Sequence, residues 1–166
     1  MKWPIIQLIL LAVLAHGLLY AQSTLPYQGT EICDQNGKKI SFSSLFDEHQ
    51  PLIVFFWNSA EGRSCQTVLD LCELSQDHLH IPGPRLVTIV MDNEVNTQMV
   101  KPLVAGKGID LAVYTDHNGS ARRQFGITRL PFLVAFDANG KILWKQSCTP
   151  GTDVKMVCEK VQQLFH

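Results

Sequence analysis

The sequence predicts an α/β domain in which a sheet lies between layers of helix. Two strands stand out as unbroken runs: Leu52-Ile-Val-Phe-Phe-Trp57 and Leu86-Val-Thr-Ile-Val-Met91 lack polar alternation, as strands covered on both faces require. Between and after them, apolar residues recur at helical spacing. Toward each end, Asn-Gly lies between β-prone stretches, in Asp34-Gln-Asn-Gly37 and Asp137-Ala-Asn-Gly140, which predicts two hairpins.

The first segment stands apart from this domain. Lys2 gives a short positive start, Ile5 to Leu19 is apolar except at Gln7 and His16, and Leu19-Tyr20-Ala21 ends on a small residue before Gln22-Ser23-Thr24. The pattern predicts a secretory signal peptide over 1–21, cut after Ala21. The competing reading is an uncleaved membrane anchor, but a spanning helix needs about 20 apolar residues, and this run is shorter and interrupted by His16 and Gly17. Contact with a membrane is expected only through this segment, where it is not cleaved. Residues 22–29 are expected to be a flexible lead, and 30–166 the folded domain.

Within the domain, Thr30 to Cys33 and Lys39 to Phe42 flank the first turn, and Ser43 to Phe46 predicts a brief helical turn. After the first buried strand, Val68, Leu71, Cys72, Ser75 and Leu79 predict a helix over about Ser64 to His78, which Pro82-Gly-Pro84 cannot continue. A second helix is expected near Thr97 to Ala105, stopping at Gly106 and Gly108. Leu111 to Tyr114 is a short strand and Ala121 to Phe125 a short helix. Phe132 to Phe136 and Ile142 to Gln146 form the second hairpin. In the final helix Val154, Val157, Cys158, Val161, Leu164 and Phe165 share one face, with Thr152 as its cap.

Composition narrows the function classes. A chain of 166 residues, 46% apolar and 17% charged, suits one domain with its own core. Its 14 Lys and Arg against 15 Asp and Glu leave a net charge of -1, and no long basic run is present. A nucleic-acid role built on electrostatics is thereby excluded. In an exported chain some of Cys33, Cys65, Cys72, Cys148 and Cys158 can pair, and an odd number leaves at least one free or externally linked.

Three stretches carry a resemblance. Phe56-Trp57 before a loop and helix, Tyr114-Thr-Asp-His-Asn-Gly119 leading to Gln124-Phe-Gly-Ile127, and Arg129-Leu-Pro-Phe-Leu-Val-Ala-Phe-Asp-Ala-Asn-Gly140 resemble the thioredoxin-like thiol–disulfide oxidoreductases. The chain is most similar to the exported TlpA-like group over roughly residues 30 to 165. The resemblance implies a thioredoxin-like fold, a central mixed β-sheet flanked by helices with an N-terminal β-hairpin extension. It also implies residence in the periplasm or cell envelope of a bacterium, a protein or peptide client, and no metal or other cofactor. In the family the proline matching Pro131 follows a cis peptide bond beside the active-site loop, and neighbouring backbone receives extended peptides. Proline beginning a strand is also the simpler explanation of Pro131.

The loop itself departs from the family. Its Cys-x-x-Cys begins four residues after the residue matching Trp57, which selects Glu61 and Ser64. A one-residue insertion instead places Cys65 on the second cysteine and Gly62 on the first. Either way the attacking sulfur is lost. Cys65 can still attack alone, since a partly exposed thiol at a helix start is made more acidic by the dipole; the alternative is a small helix-start residue. Cys72, seven residues on, is about 10 Å away along the helix, beyond the roughly 4.4–6.8 Å a disulfide tolerates. Cys72 is therefore expected in the core. Cys148 and Cys158 can be brought together as a structural disulfide.

These features predict an exported thioredoxin-fold protein with Cys65 as its remaining redox candidate. Trp57, Glu61, Ser64, Leu130 and Pro131 are the expected client-binding residues. The alternative is a working oxidoreductase in which Cys65 uses a resolving thiol from elsewhere. A peroxiredoxin-like site is disfavoured, because Asn58 and Gly62 stand where Pro and Thr would precede Cys65. His78-x-His80 lacks further ligands at clear spacing, so a solvated loop is the expectation there rather than a metal site.

Overall fold

The architecture follows from three central strands too apolar to leave either face in water. A computed structural model describes residues 27–78, 83–92, 94–148 and 154–165. The expected signal peptide, most of the expected lead, the expected Thr152 cap and His80 lie outside the described residues. The strands are β1 (Glu31–Cys33), β2 (Lys39–Ser41), β3 (Leu52–Trp57), β4 (Arg85–Val90), β5 (Ala112–Thr115), β6 (Phe132–Phe136) and β7 (Ile142–Ser147). The helices are α1 (Gly62–His78), α2 (Glu94–Lys107), α3 (Ser120–Phe125) and α4 (Val154–Phe165), with a 3-10 helix over Phe42–Phe46.

The strands form one mixed sheet in the order β2-β1-β5-β4-β3-β6-β7. β3, β4 and β5 are parallel, so the loops that follow all three emerge at one pole of the sheet. β6 returns antiparallel to β3, with Phe56 opposite Phe132, which carries Pro131 to that same pole. The N-terminal hairpin is not a loose appendage: β1 joins the sheet through Cys33 opposite Thr115. Gly37 and Gly140 hold φ of 79° and 81° in the two hairpin turns, a conformation that favours glycine.

The two faces bury separate clusters. Ile53, Phe55 and Trp57 of β3 pack with Val68 and Leu71 of α1, Val100 and Val104 of α2, and Val157 of α4. Leu52, Val54 and Phe56 face the opposite way, against Phe42, Leu45 and Phe46 of the 3-10 helix and Ala121 and Phe125 of α3. Every residue of β3 is buried, as its lack of alternation requires.

Sequence reasoning placed most elements within two residues. α2 is longer than expected and runs through Pro102. One assignment is corrected. The lead was expected to be flexible through residue 29, yet the Tyr27 ring lies 5.6 Å from Phe42, 5.1 Å from Phe125 and 5.8 Å from Phe136. Its hydroxyl donates to Gly140 O at 3.0 Å. An aromatic ring of that area contributes more in a cluster than in water, so Tyr27 packs as part of the folded domain. Tyr27→Phe keeps the ring and deletes this hydrogen bond; chemical denaturation should show a loss of about 1 kcal/mol.

Candidate functional site

At the pole where the parallel strands end, four residues link β3 to α1. Asn58 Oδ1 accepts from Ala60 N at 2.8 Å, a local turn that starts the loop. Glu61 N donates to Asn58 O at 3.2 Å, and Cys65 N to Glu61 O at 3.1 Å, so the loop runs directly into the first helical bond. Ser59 is tied across the sheet. Its N–H donates to Asp92 Oδ1 at 3.0 Å, and its hydroxyl donates to Asp92 Oδ2. Asp92 itself, just beyond β4, is 5% exposed.

Glu61 and Ser64 form a pair. Ser64 Oγ donates to Glu61 Oε2 at 2.9 Å. Glu61 is exposed and Ser64 fully buried, so one member faces solvent and the other lies beneath it.

Cys65 departs from expectation. Its residue is 5% exposed and belongs to the cluster containing Trp57 and Val68. Its thiol donates to Ser59 O at 3.3 Å. Burial pushes the thiol pKa up; Lys107 pulls it down, Asp92 pushes it further up, and backbone hydrogen bonding lowers it. The expected partial exposure and acidification are therefore corrected: the residue is buried and the net shift, led by desolvation, is upward. Cys72 is buried on the same face, as expected.

The other predicted residues divide. The Leu130–Pro131 peptide bond is cis. Pro131 O accepts from Cys148 N at 2.8 Å, Pro131 is buried, and Leu130 is half-buried beside exposed Arg129. Trp57 and Ser64 have no exposed surface, so neither can touch a client directly. Trp57 was expected at the rim because it borders the loop, but the strand turns its side chain into the core, where Nε1 has no hydrogen-bond partner among the described residues. Of the five expected client-binding residues, only Glu61 and Leu130 reach the surface, while Ser64 and Pro131 are buried like Trp57. Cys148 carries a free, buried thiol rather than half of the expected bridge to Cys158, and burial pushes its pKa up to about 11. The side chain of Cys158 lies outside the described residues.

Sequence reasoning missed Ser59, Asp92 and Asp116. Asp116, after β5, accepts from Ala121 N at 3.2 Å and Arg122 N at 2.8 Å. Burial raises its pKa while these bonds lower it. A cleft of about 230 Å³ between the β4 and β5 loops is lined by Met91, Asp92, Asp116, His117, Gly119 and Arg122. The available signal was an aspartate following two of the parallel strands, in Met91-Asp92 after β4 and Thr115-Asp116 after β5. Among the described residues, no group of three or more His, Cys, Asp or Glu is placed to hold a metal ion.

Comparison with protein families matches residues 21–157 to the family described as Redoxin. The chain belongs to the redoxin family. Among solved structures, this redoxin is similar to an uncharacterized thioredoxin-like protein from Porphyromonas gingivalis, with TM-score 0.72 and 25% identity over 86% of this chain and 92% of that one. It is also similar to a thiol:disulfide interchange protein, DsbE, from Chlorobium tepidum, with TM-score 0.67 and 18% identity over 82% and 92%. An exposed lipoprotein thioredoxin from Streptococcus pneumoniae gives TM-score 0.63 and 17% identity over 80% and 97%. The fold of this redoxin is thioredoxin-like, the fold of thiol–disulfide oxidoreductases. No curated protein matches its sequence.

Proposed function

We propose that this protein is an exported, thioredoxin-fold redoxin without dithiol exchange, resident in the bacterial periplasm or cell envelope, which binds a protein or peptide client at the rim formed by Glu61 and Leu130. The Glu61–Ser64 pair carries this reading. A carboxylate over a buried hydroxyl stands where the resemblance calls for an attacking and a resolving thiol. Neither oxygen can replace a thiolate, which in exchange forms a new S–S bond as the leaving thiolate takes the electron pair of the old one. Cys65, the nearest sulfur, is buried with its pKa raised, and so supplies little thiolate. Export is supported by the N-terminal pattern and by the similarity to a protein named as an exposed lipoprotein thioredoxin.

The pairing of β6 with β3 supports client binding, because it brings half-buried Leu130 and exposed Arg129 to the same pole as the loop. The test uses purified mature protein and a disulfide-bonded reporter peptide with glutathione as reductant. The expected rate equals that of glutathione alone. Catalysis abolished by Cys65→Ser would overturn the inactive reading in favour of a single-thiol enzyme. For the rim, a photocrosslinking residue at position 130 should give a discrete adduct in the native compartment, and the same residue at position 145, on β7, should not; equal adducts from both would remove the rim from the proposal.

A further inference from the structure

Ser59 is held from one side and holds from the other. Its N–H and hydroxyl both end on the Asp92 carboxylate, 33 residues away in sequence, while its carbonyl accepts the Cys65 thiol. Asp92 is 5% exposed and Ser59 half-buried, so these bonds are partly shielded from water and an unmade one carries a cost. A loop this short, between a fully buried strand and a long helix, has few internal bonds of its own. Asn58 sets its first turn, and Asp92 provides its link to the neighbouring strand end.

We propose that Asp92 is the positioning residue of this loop: by fixing Ser59 it holds the Asn58–Glu61 segment shut over the Cys65 thiol and sets Glu61 at the rim. The physical chain has three steps. The carboxylate fixes the Ser59 peptide; the Ser59 carbonyl is thereby aimed at Cys65; the helix start that follows places Glu61 over Ser64. Without the carboxylate, the half-buried Ser59 donors lose their partner, and opening the loop to water becomes the cheaper way to satisfy them. The role of Glu61 in client binding rests on the function proposed above, whereas the latch does not. Cys65 serves as its reporter.

The test is native-state alkylation with N-ethylmaleimide, with each cysteine quantified by mass spectrometry in full-length mature protein. Asp92→Ala, which removes both acceptors of Ser59, should speed modification of Cys65 by about tenfold or more, as expected for the loss of charge-assisted bonds. Ser59→Ala, which removes the hydroxyl and keeps the N–H bond, should give a smaller increase. Cys148 and Cys72, buried elsewhere in the same cluster, should not change in either variant. A Cys65 rate in Asp92→Ala equal to that of the unsubstituted protein would overturn the latch. So would a parallel rise at Cys148 and Cys72, which would show that Asp92 supports the whole core rather than this loop. Neither result bears on disulfide reduction, which is measured separately.

Discussion

Replacing Glu61 and Ser64 with cysteine, in a Cys65→Ser background, should turn this chain into a disulfide-exchange catalyst. The two side chains already meet, with Ser64 Oγ 2.9 Å from Glu61 Oε2. Residues three apart at a helix start have Cα atoms about 5 Å apart, inside the roughly 4.4–6.8 Å that a disulfide accepts. Their environments also differ in the useful sense. Position 61 is exposed at the start of the 17-residue α1, where the dipole favours a thiolate, and position 64 is fully buried. The exposed thiol would attack the substrate disulfide, and the buried one would displace it from the mixed disulfide, expelling the reduced substrate thiol. Glutathione would then reduce the new disulfide. Turnover at least about tenfold above the unsubstituted protein is expected with the reporter peptide. Glu61→Cys alone should stop at the mixed disulfide, detectable by mass. Absence of turnover in the double variant, with both thiols titratable, would show that the loop differs from a dithiol site by more than two side chains.

Phe136→Ala should cause the largest loss of stability. Phe136 has no exposed surface, and its ring centroid lies 5.3 Å from Phe46, 5.7 Å from Phe125, 5.8 Å from Tyr27 and 5.9 Å from Phe42. One ring thus joins β6, the 3-10 helix, α3 and Tyr27. Truncation leaves a cavity among groups fixed by different elements, so the space cannot collapse easily. A cost of about 3–5 kcal/mol is expected from denaturant unfolding, with a fall in melting temperature of roughly 10 °C. A loss below about 1 kcal/mol would mean that the cluster repacks and that the aromatic contacts contribute little beyond filling space.

Much of the fold was legible because its signals are local. β3 is identified by six successive apolar residues, and the two hairpins by Asn-Gly turns whose backbone takes positive φ at the glycine. Helix limits were less exact. α1 begins at Gly62 rather than Ser64, because the loop's own hydrogen bonds, from Glu61 N and Cys65 N, wind the chain early. Tyr27 looked like part of a polar lead. Its order comes from rings contributed by residues 42, 46, 125 and 136, which no window along the chain contains.

The site was legible in its chemistry and not in its geometry. By itself the sequence determined that the paired thiols are missing after Trp57, that a proline motif follows, and that Glu61, Ser64 and Cys65 occupy the gap. Those facts depend only on which residues are present and in what order. The tertiary structure decided which of them can act. It turned Trp57 inward, set Ser64 beneath Glu61, and sealed Cys65 under Ser59 with its pKa raised. Burial is a property of the assembled layers, since the atoms that remove Cys65 from water come from several elements distant in sequence. The same reason hid Asp92: an aspartate after a strand is ordinary until the fold brings Ser59 to its carboxylate.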